Sequence, residues 1–270
     1  MEKDIEIIKL NINHHKYIVD LFNDEIIHYY FIISDLLRSN YTGVSLQVYG
    51  EFDNNELKSI LLNNQNNLTY YSKEDRSIDI YMDFLKEMHF HKISGSYQLV
   101  EKFIPFYNVK SDGSCYLGYF DTITQNRKHP DMEIKYITSN EELGLLYDLL
   151  MSAKEYHNVI PSNKAEYIQE QIQHINDSSR TAYIILNNKM ISSSATVNEY
   201  ANSAIITGVV TSPDYRKLGF GSEVLINLVK TLLNEGKVPY LFYNNPAARN
   251  MYLKLGIKEV CEWRVCLIDS

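Results

Sequence analysis

The second half of the chain alternates strand-type and helix-type segments, and this alternation constrains the fold more than any other feature of the sequence. Strand patterns cover residues 132–138, 181–197, 203–211, 238–243 and 257–268, the last being either one strand or a hairpin. Helix patterns cover residues 140–154, 164–175, 222–235 and 245–255. The predicted order is βααβββαβαβ, which indicates an α/β fold with a mixed central sheet flanked by helices.

Local signals fix several of these boundaries. Ser139 and Glu142 form an S-x-x-E capping box that predicts the start of the first helix. Asn187-Asn188 predicts a two-residue hairpin turn inside 181–197. Gly236 and Gly256 are expected to end the last two helices.

A polar stretch at residues 122–131 suggests a boundary between a domain at 1–130 and a domain at 131–270. The first half has an opening helix pattern, an alternating strand at 44–52, a short strand or helix at 57–63, a helix at 78–90, and a strand, turn and helix between 93 and 105. Either an unrelated α/β or helical unit, or a degenerate copy of the second half, fits that pattern.

Composition excludes several classes of function. The net charge is −8 and both halves are acidic, which argues against a nucleic-acid partner. No apolar run is long enough to span a membrane, and the charged segment MEKDIEIIKL does not resemble a signal peptide. The three cysteines, Cys115, Cys261 and Cys266, are too scattered for a disulfide framework or a zinc site. We therefore expect a cytoplasmic protein without a metal.

The segment YRKLGFGSE, residues 215–223, is the strongest local candidate for a binding site. It lies between a predicted strand and a predicted helix, so its backbone N–H groups and the positive helix end can hold an anion. Gly219 and Gly221 let a ligand approach the backbone, and Arg216 and Lys217 add positive charge. On local grounds an ordinary strand-to-helix turn explains the segment equally well.

Spacing argues against two common nucleotide-binding loops. A Walker A loop requires G-x-x-x-x-G-K-[ST], and no glycine of this segment is followed by that pattern. A dinucleotide-binding loop requires G-x-G-x-x-G, but Val224 stands where the third glycine is needed.

Two separated motifs resemble the GCN5-related N-acetyltransferase (GNAT) superfamily. VVTSPDYRKLGFGSEVLINLV resembles its motif R/Q-x-x-G-x-G/A, with Arg216, Gly219 and Gly221 at the defining positions. NPAARNMYLKLGI resembles N-x-x-A-x-x-x-Y-x-x-x-G-F, although Ile257 replaces the usual aromatic residue. The resemblance covers about residues 131–268, and the sequences of the two motifs are most similar to the FR47-like branch. It also makes the first half a candidate for a degenerate GNAT-like domain.

The resemblance implies a GNAT fold in the second half and acetyl-CoA as the cosubstrate. The implied coenzyme contacts are the end of the third strand, the backbone of the glycine loop and the second motif: Val209, Val210, Thr211, Arg216, Lys217, Leu218, Gly219, Phe220, Gly221, Ser222, Asn245 and Ala248.

It further implies an N-acetyltransferase that transfers an acetyl group directly from the thioester to an amine. Tyr252 is the candidate acid that protonates the departing thiolate, and a core tyrosine is the alternative. Glu199 and His157 are candidates for the base. The expected acceptor is a small-molecule amine or a protein amino group, and a homodimer is left open. A non-catalytic module that binds acetyl-CoA, or a structural GNAT-fold subunit, is the rival interpretation.

Overall fold

The computed structural model describes residues 5–43, 45–176 and 179–269. Its strands are β1 (Ile5–Lys9), β2 (Leu46–Asp53), β3 (Glu56–Asn64), β4 (Asn67–Ser72), β5 (Lys92–Ser96), β6 (Val109–Tyr119), β7 (Lys135–Tyr136), β8 (Thr181–Leu186), β9 (Lys189–Tyr200), β10 (Ser203–Thr211), β11 (Val238–Tyr243) and β12 (Lys258–Ile268). Its α-helices are α1 (His15–Phe22), α2 (Ile26–Arg38), α3 (Met82–Glu87), α4 (Tyr97–Glu101), α5 (Asn140–Met151), α6 (Lys164–Asn176), α7 (Phe220–Asn234) and α8 (Pro246–Leu255). Val44, the first residue of the strand predicted at 44–52, lies outside the described residues.

The chain forms two compact units. The first contains residues 1–117, 242–244 and 259–270, and the second contains residues 118–241 and 245–258. The polar stretch at 122–131 therefore belongs to the second unit. Domains at 1–130 and 131–270 remain a prediction.

The second unit is built on a mixed sheet with the strand order β11-β10-β9-β8-β7. Neighbouring strands are antiparallel, except that β10 and β11 are parallel because α7 connects them. The order of strands and helices from β7 to β12 is the predicted one, so the expected α/β fold with a mixed sheet and flanking helices is confirmed.

The apolar stripe of α7 forms part of the core of this unit. Val224, Leu225, Leu228 and Leu232 are fully buried, which satisfies the 3.6-residue period of the sequence. On α5, Leu143 and its buried neighbours pack with Tyr183 and Val210 of the sheet. The glycine-rich segment at 215–223 is thus anchored to a strand on one side and a packed helix on the other.

The predicted boundaries of this unit are largely confirmed. The Ser139 hydroxyl accepts from the Glu142 N–H at 3.3 Å, and the Glu142 carboxylate accepts from the Ser139 N–H at 3.0 Å. Asn187 and Asn188 have φ values of 52° and 60°, as the hairpin turn requires. Gly236 and Gly256 follow their helices with positive φ.

Three segments differ from, or sharpen, the prediction. The strand expected at 132–138 is reduced to β7, because the Thr138 backbone turns to donate to Glu142 in the capping box of α5. The segment at 57–63, predicted as a strand or a helix, belongs to strand β3. The segment at 257–268 is one strand, β12, and not a hairpin.

The first unit has the strand order β1-β2-β3-β4-β5-β12-β6. The pairs β1–β2, β2–β3, β3–β4 and β5–β12 are antiparallel, and the pair β4–β5 is parallel. Its core combines sheet residues such as Leu61 and Leu68 with Tyr81 and Phe103 from the connecting helical segments. No helix among the described residues of the chain is both long enough and apolar enough to cross a membrane.

Candidate functional site

The end of β10 is irregular where the coenzyme contacts are expected. The register of β10 on β9 shifts between Thr207 and Val210, and Gly208 in this bulge has a φ of 57°. Val210 and Thr211 then pair with Ser193 and Ser192 of β9. The bulge re-aims the last residues of the strand.

The other edge of β10 has fewer partners within the unit. Its parallel ladder runs from Ser203↔Val238 to Ile206↔Leu241 and uses every residue that β11 contributes to the second unit. The strand continues for five residues beyond Ile206, to Thr211. The predicted contacts Val209, Val210 and Thr211 all lie in this extension.

The loop after β10 adopts a left-handed backbone at two positions. Lys217 has a φ of 65° and Gly219 a φ of 97°, and Gly219 is the residue that caps α7. No side chain caps this helix end, and the first helical bond runs from the Glu223 N–H to the Gly219 carbonyl at 3.1 Å. The N–H groups of Phe220, Gly221 and Ser222 consequently have no acceptor within the helix.

The two glycines of the motif serve different purposes. Gly219 provides the positive φ, which an L-residue with a side chain adopts only with strain. Gly221 provides space, because a Cβ there would stand 2.9 Å from the Thr211 Oγ1 and 3.9 Å from the Met251 Sδ. Gly221 thus allows the first turn of α7 to pack closely on the end of β10.

Arg216 does not present a free guanidinium to this helix end. Its Nε donates to the Thr211 carbonyl at 3.1 Å, and its NH2 group donates to the Glu155 carboxylate at 2.7 Å. Glu155 belongs to the loop between α5 and α6. The charge that the sequence analysis expected Arg216 to supply is therefore already paired with a carboxylate.

Helix α8 carries the second motif. The Asn245 side-chain carbonyl caps it by accepting from the Ala247 and Ala248 N–H groups at 2.9 Å and 3.3 Å. This orients the side-chain amide of Asn245 away from the helix, as a donor. Ala248 is half-buried one turn before Tyr252.

Tyr252 is 4% exposed, and burial, with a smaller contribution from Tyr156 in the α5–α6 loop, raises the pKa of its hydroxyl. The phenol is accordingly in its protonated form at neutral pH. Met251, the preceding residue, lies beside Gly221. The structure therefore brings α8, the α5–α6 loop and the glycine loop to the same end of the second unit.

Glu199 lies at the other end of α7. Its carboxylate is buried and accepts from Arg180 and from the Lys237 ammonium, which is 2.7 Å away. Arg180 also binds Glu235, just after the last residue of α7. A 15-residue helix is about 22 Å long, so the structure does not bring Glu199 together with Tyr252. Glu199 belongs to an ion-pair cluster.

The second candidate base, His157, is exposed in the α5–α6 loop. Its Nε2 lies 2.9 Å from the Met151 carbonyl. A carbonyl can only accept, so this nitrogen carries the proton. The arrangement fixes the ring orientation.

The polar stretch expected to be a boundary is bound to the start of α7. Glu223, in the first helical turn, is fully buried and accepts from the Arg127 Nε at 2.9 Å and from the Lys128 N–H. The His129 ring stacks on Phe220 at 5.4 Å between centroids, and its Nε2 lies 3.1 Å from the Leu218 carbonyl. The sequence alone does not identify these residues, because only the tertiary fold brings 127–129 to residue 223. The basic run RKH was the available signal.

Comparison with known proteins gives one family match. A model of the Acetyltransferase (GNAT) family matches residues 145–257. No curated protein shows significant similarity to the chain.

Three solved structures extend the comparison over nearly the whole chain. A GNAT-family acetyltransferase from Colwellia psychrerythraea is 13% identical, with 98% of this chain and 100% of that one covered and a TM-score of 0.56. A Drosophila protein is 10% identical, with coverages of 97% and 98% and a TM-score of 0.61. A tandem GNAT protein from the clavulanic acid biosynthesis pathway is 8% identical, with coverages of 97% and 98% and a TM-score of 0.51. The C-terminal part of the chain has the GNAT fold.

Proposed function

We propose that the protein is a cytoplasmic acetyl-CoA-dependent N-acetyltransferase that acetylates a primary amine of a small molecule or a protein. The GNAT fold and the family match support acyl transfer as the general activity. The observation that carries the proposal is the meeting of three features at one end of the second unit. These are the bulged end of β10, the left-handed loop before the uncapped end of α7, and helix α8 with Asn245 and Tyr252. Assignment to the FR47-like branch, and a degenerate GNAT-like first half, remain predictions.

In this proposal the coenzyme is held mainly by the backbone. The peptide groups of Val209–Thr211 bind the pantetheine arm, and the N–H groups of Lys217–Ser222 bind the pyrophosphate. The side-chain amide of Asn245 donates to the coenzyme, because its carbonyl is already used by the helix cap. Ala248 lines the same face of α8. Metal ligands are not required by this scheme.

The transfer step forms a C–N bond and breaks the C–S bond of the thioester. A neutral amine attacks the acetyl carbonyl, the amine loses a proton, and the leaving thiolate gains one. Tyr252 is the proposed donor to the sulfur, since its buried hydroxyl stays protonated at neutral pH. Because two cations bind Glu199 far from this end of the unit, we propose that water removes the amine proton.

A second candidate function is an acetyl-CoA-binding module without turnover, and it differs from an enzyme only in the chemical step. Calorimetric titration with acetyl-CoA tests binding, and a thiol-release assay over amines, amino acids, polyamines, aminoglycosides and peptides tests turnover. Binding with turnover supports the enzyme, and binding without turnover supports the module. If acetyl-CoA does not bind, both functions are refuted.

The Tyr252→Phe variant tests the role of the hydroxyl. We expect a loss of kcat of about 100-fold or more with little change in acetyl-CoA affinity, because one general acid contributes roughly 10²–10⁴-fold to the rate. Tyr167→Phe is the matched control, because Tyr167 is an equally buried tyrosine of the second unit, 3% exposed. If both variants keep the wild-type kcat, Tyr252 is a core residue and not a proton donor.

A further inference from the structure

Basic side chains around the start of α7 are already paired with carboxylates, which the motif alone does not indicate. Arg216 is paired with Glu155, and Arg127 is paired with the buried Glu223. These four charges cancel in pairs. An anion bound at the N–H groups of residues 220–222 therefore needs positive side chains other than Arg216 and Arg127.

Lys128 is placed to supply one of them. Its Cδ lies 3.5 Å from the position that a Cβ on Gly219 would occupy, so its stem lies along the left-handed turn of the loop. The side chain is exposed, and no ion pair of Lys128 is found among the residues that the structure describes. Its ammonium lies two bonds beyond Cδ.

The backbone around Lys128 is fixed in this position by four contacts. The Lys128 N–H and the Arg127 Nε both donate to Glu223, which is fully buried and needs such partners. On the other side of Lys128, His129 stacks on Phe220 and contacts the Leu218 carbonyl. The backbone at Lys128 is therefore held in place, and its exposed side chain can contact a ligand.

We infer that Lys128 binds the pyrophosphate of the coenzyme, held in place by the Arg127–Glu223 pair and by the stacking of His129 on Phe220. This inference rests on the proposed function, because it adds a side chain to the same anion site. A lysine ammonium is a compact point charge with three donors, and it compensates for the guanidinium that Arg216 uses on Glu155. The site would then consist of the loop amides, Lys217 and Lys128.

The test compares acetyl-CoA affinity of the full-length chain and its variants by calorimetry. We expect Lys128→Ala to raise the Kd about tenfold and Lys128→Arg to stay within about twofold of wild type, since a charged hydrogen bond to phosphate is lost in one and kept in the other. Lys230→Ala is the control, because Lys230 is an exposed lysine on α7 that lies well beyond the first turn of the helix. Its Kd should equal that of wild type.

The dependence of acetyl-CoA affinity on salt concentration distinguishes a phosphate contact of Lys128 from a structural role. The effect of Lys128→Ala should shrink to about threefold or less between roughly 0.05 M and 0.5 M salt, because screening weakens exposed charge pairs. The urea midpoint should stay unchanged.

Equal Kd values for Lys128→Ala and Lys230→Ala overturn the inference and leave the proposed function intact. A salt-independent loss, or one accompanied by a lower urea midpoint, overturns it as well by assigning Lys128 a structural role. Failure of the wild-type chain to bind acetyl-CoA refutes the proposed function itself, and the two failures are thereby distinguished.

Discussion

Gly221 is the position where the site depends most directly on close packing, and Gly221→Ala measures that dependence. The added Cβ would stand 2.9 Å from the Thr211 Oγ1, whereas ordinary contacts begin at 3.4 Å. One side must therefore move by about 0.5 Å. Thr211 is restrained by its bond to the Ser192 hydroxyl at 2.9 Å, and the first turn of α7 is restrained by Glu223.

The magnitude follows from two opposing effects. Overpacking by one methyl group in a restrained contact costs about 1–3 kcal/mol. Replacing glycine by alanine in a helix recovers about 0.5–1 kcal/mol, and Gly221 has no positive φ that would cancel this gain. We expect Gly221→Ala to lower the free energy of unfolding by about 1 kcal/mol and to weaken acetyl-CoA binding by displacing the loop.

A double-mutant cycle with Thr211→Ala isolates the contact. Removing the Thr211 hydroxyl opens the space that the new methyl group needs, so the double variant should be about 1 kcal/mol more stable than the sum of the single effects predicts. Urea unfolding gives the four free energies. If the two effects add to within about 0.3 kcal/mol, the packing argument for Gly221 is refuted.

Two further predictions concern the ends of α7. Gly219 has a φ of 97°, so Gly219→Ala should lower the free energy of unfolding by about 1–2 kcal/mol and should also weaken acetyl-CoA binding. The control is Gly236→Ala, at a position with a φ of 75° and open space around it. This variant should show the same loss of stability in urea unfolding but wild-type affinity for acetyl-CoA. At the other end, the hydrogen bond from Arg180, with a smaller contribution from Lys237, lowers the pKa of Glu235 from 4.5 to about 2. A depressed carboxyl pKa contributes stability that is present above pH 4.5 and is lost as the pH falls towards 2. Above pH 4.5, wild type should be more stable than Glu235→Gln by about 1 kcal/mol after allowance for solvent screening. Urea unfolding should show this difference in unfolding free energy disappear between pH 4.5 and 2.

Local chemistry made the secondary structure of the second unit predictable. The Ser139–Glu142 capping box and the Asn187-Asn188 turn act within a few residues, so the sequence contains all the partners that they need. The helical spacing of the apolar residues in α7 also matches the face that is buried in the structure. In the first half, Asn54-Asn55 and Gln65-Asn66 form hairpin turns with similar positive φ values, but these signals were not recognised in the sequence.

The arrangement of charges at the candidate site could not be predicted from the sequence. Glu199 follows a strand pattern like an exposed turn residue, and only the fold shows that Arg180 and Lys237 enclose it. The Arg216–Glu155 pair spans 61 residues and the Arg127–Glu223 pair spans 96. No periodicity or spacing rule reports contacts of that range.

The motif and the tertiary contacts therefore determine different properties of the site. Gly219 and Gly221 shape the backbone, and their effect is local enough to be recognised from a few residues. Electrostatics depends on which side chains reach the loop, and the pairing of Arg216 with Glu155 shows that a basic residue inside the motif can be neutralised from outside it. That same pair joins the glycine loop to the α5–α6 loop, whose Tyr156 contributes to the raised pKa of Tyr252. In the proposed site, anion affinity and the environment of the acid therefore depend on the α5–α6 loop and on residues 127–129 as well as on the motif.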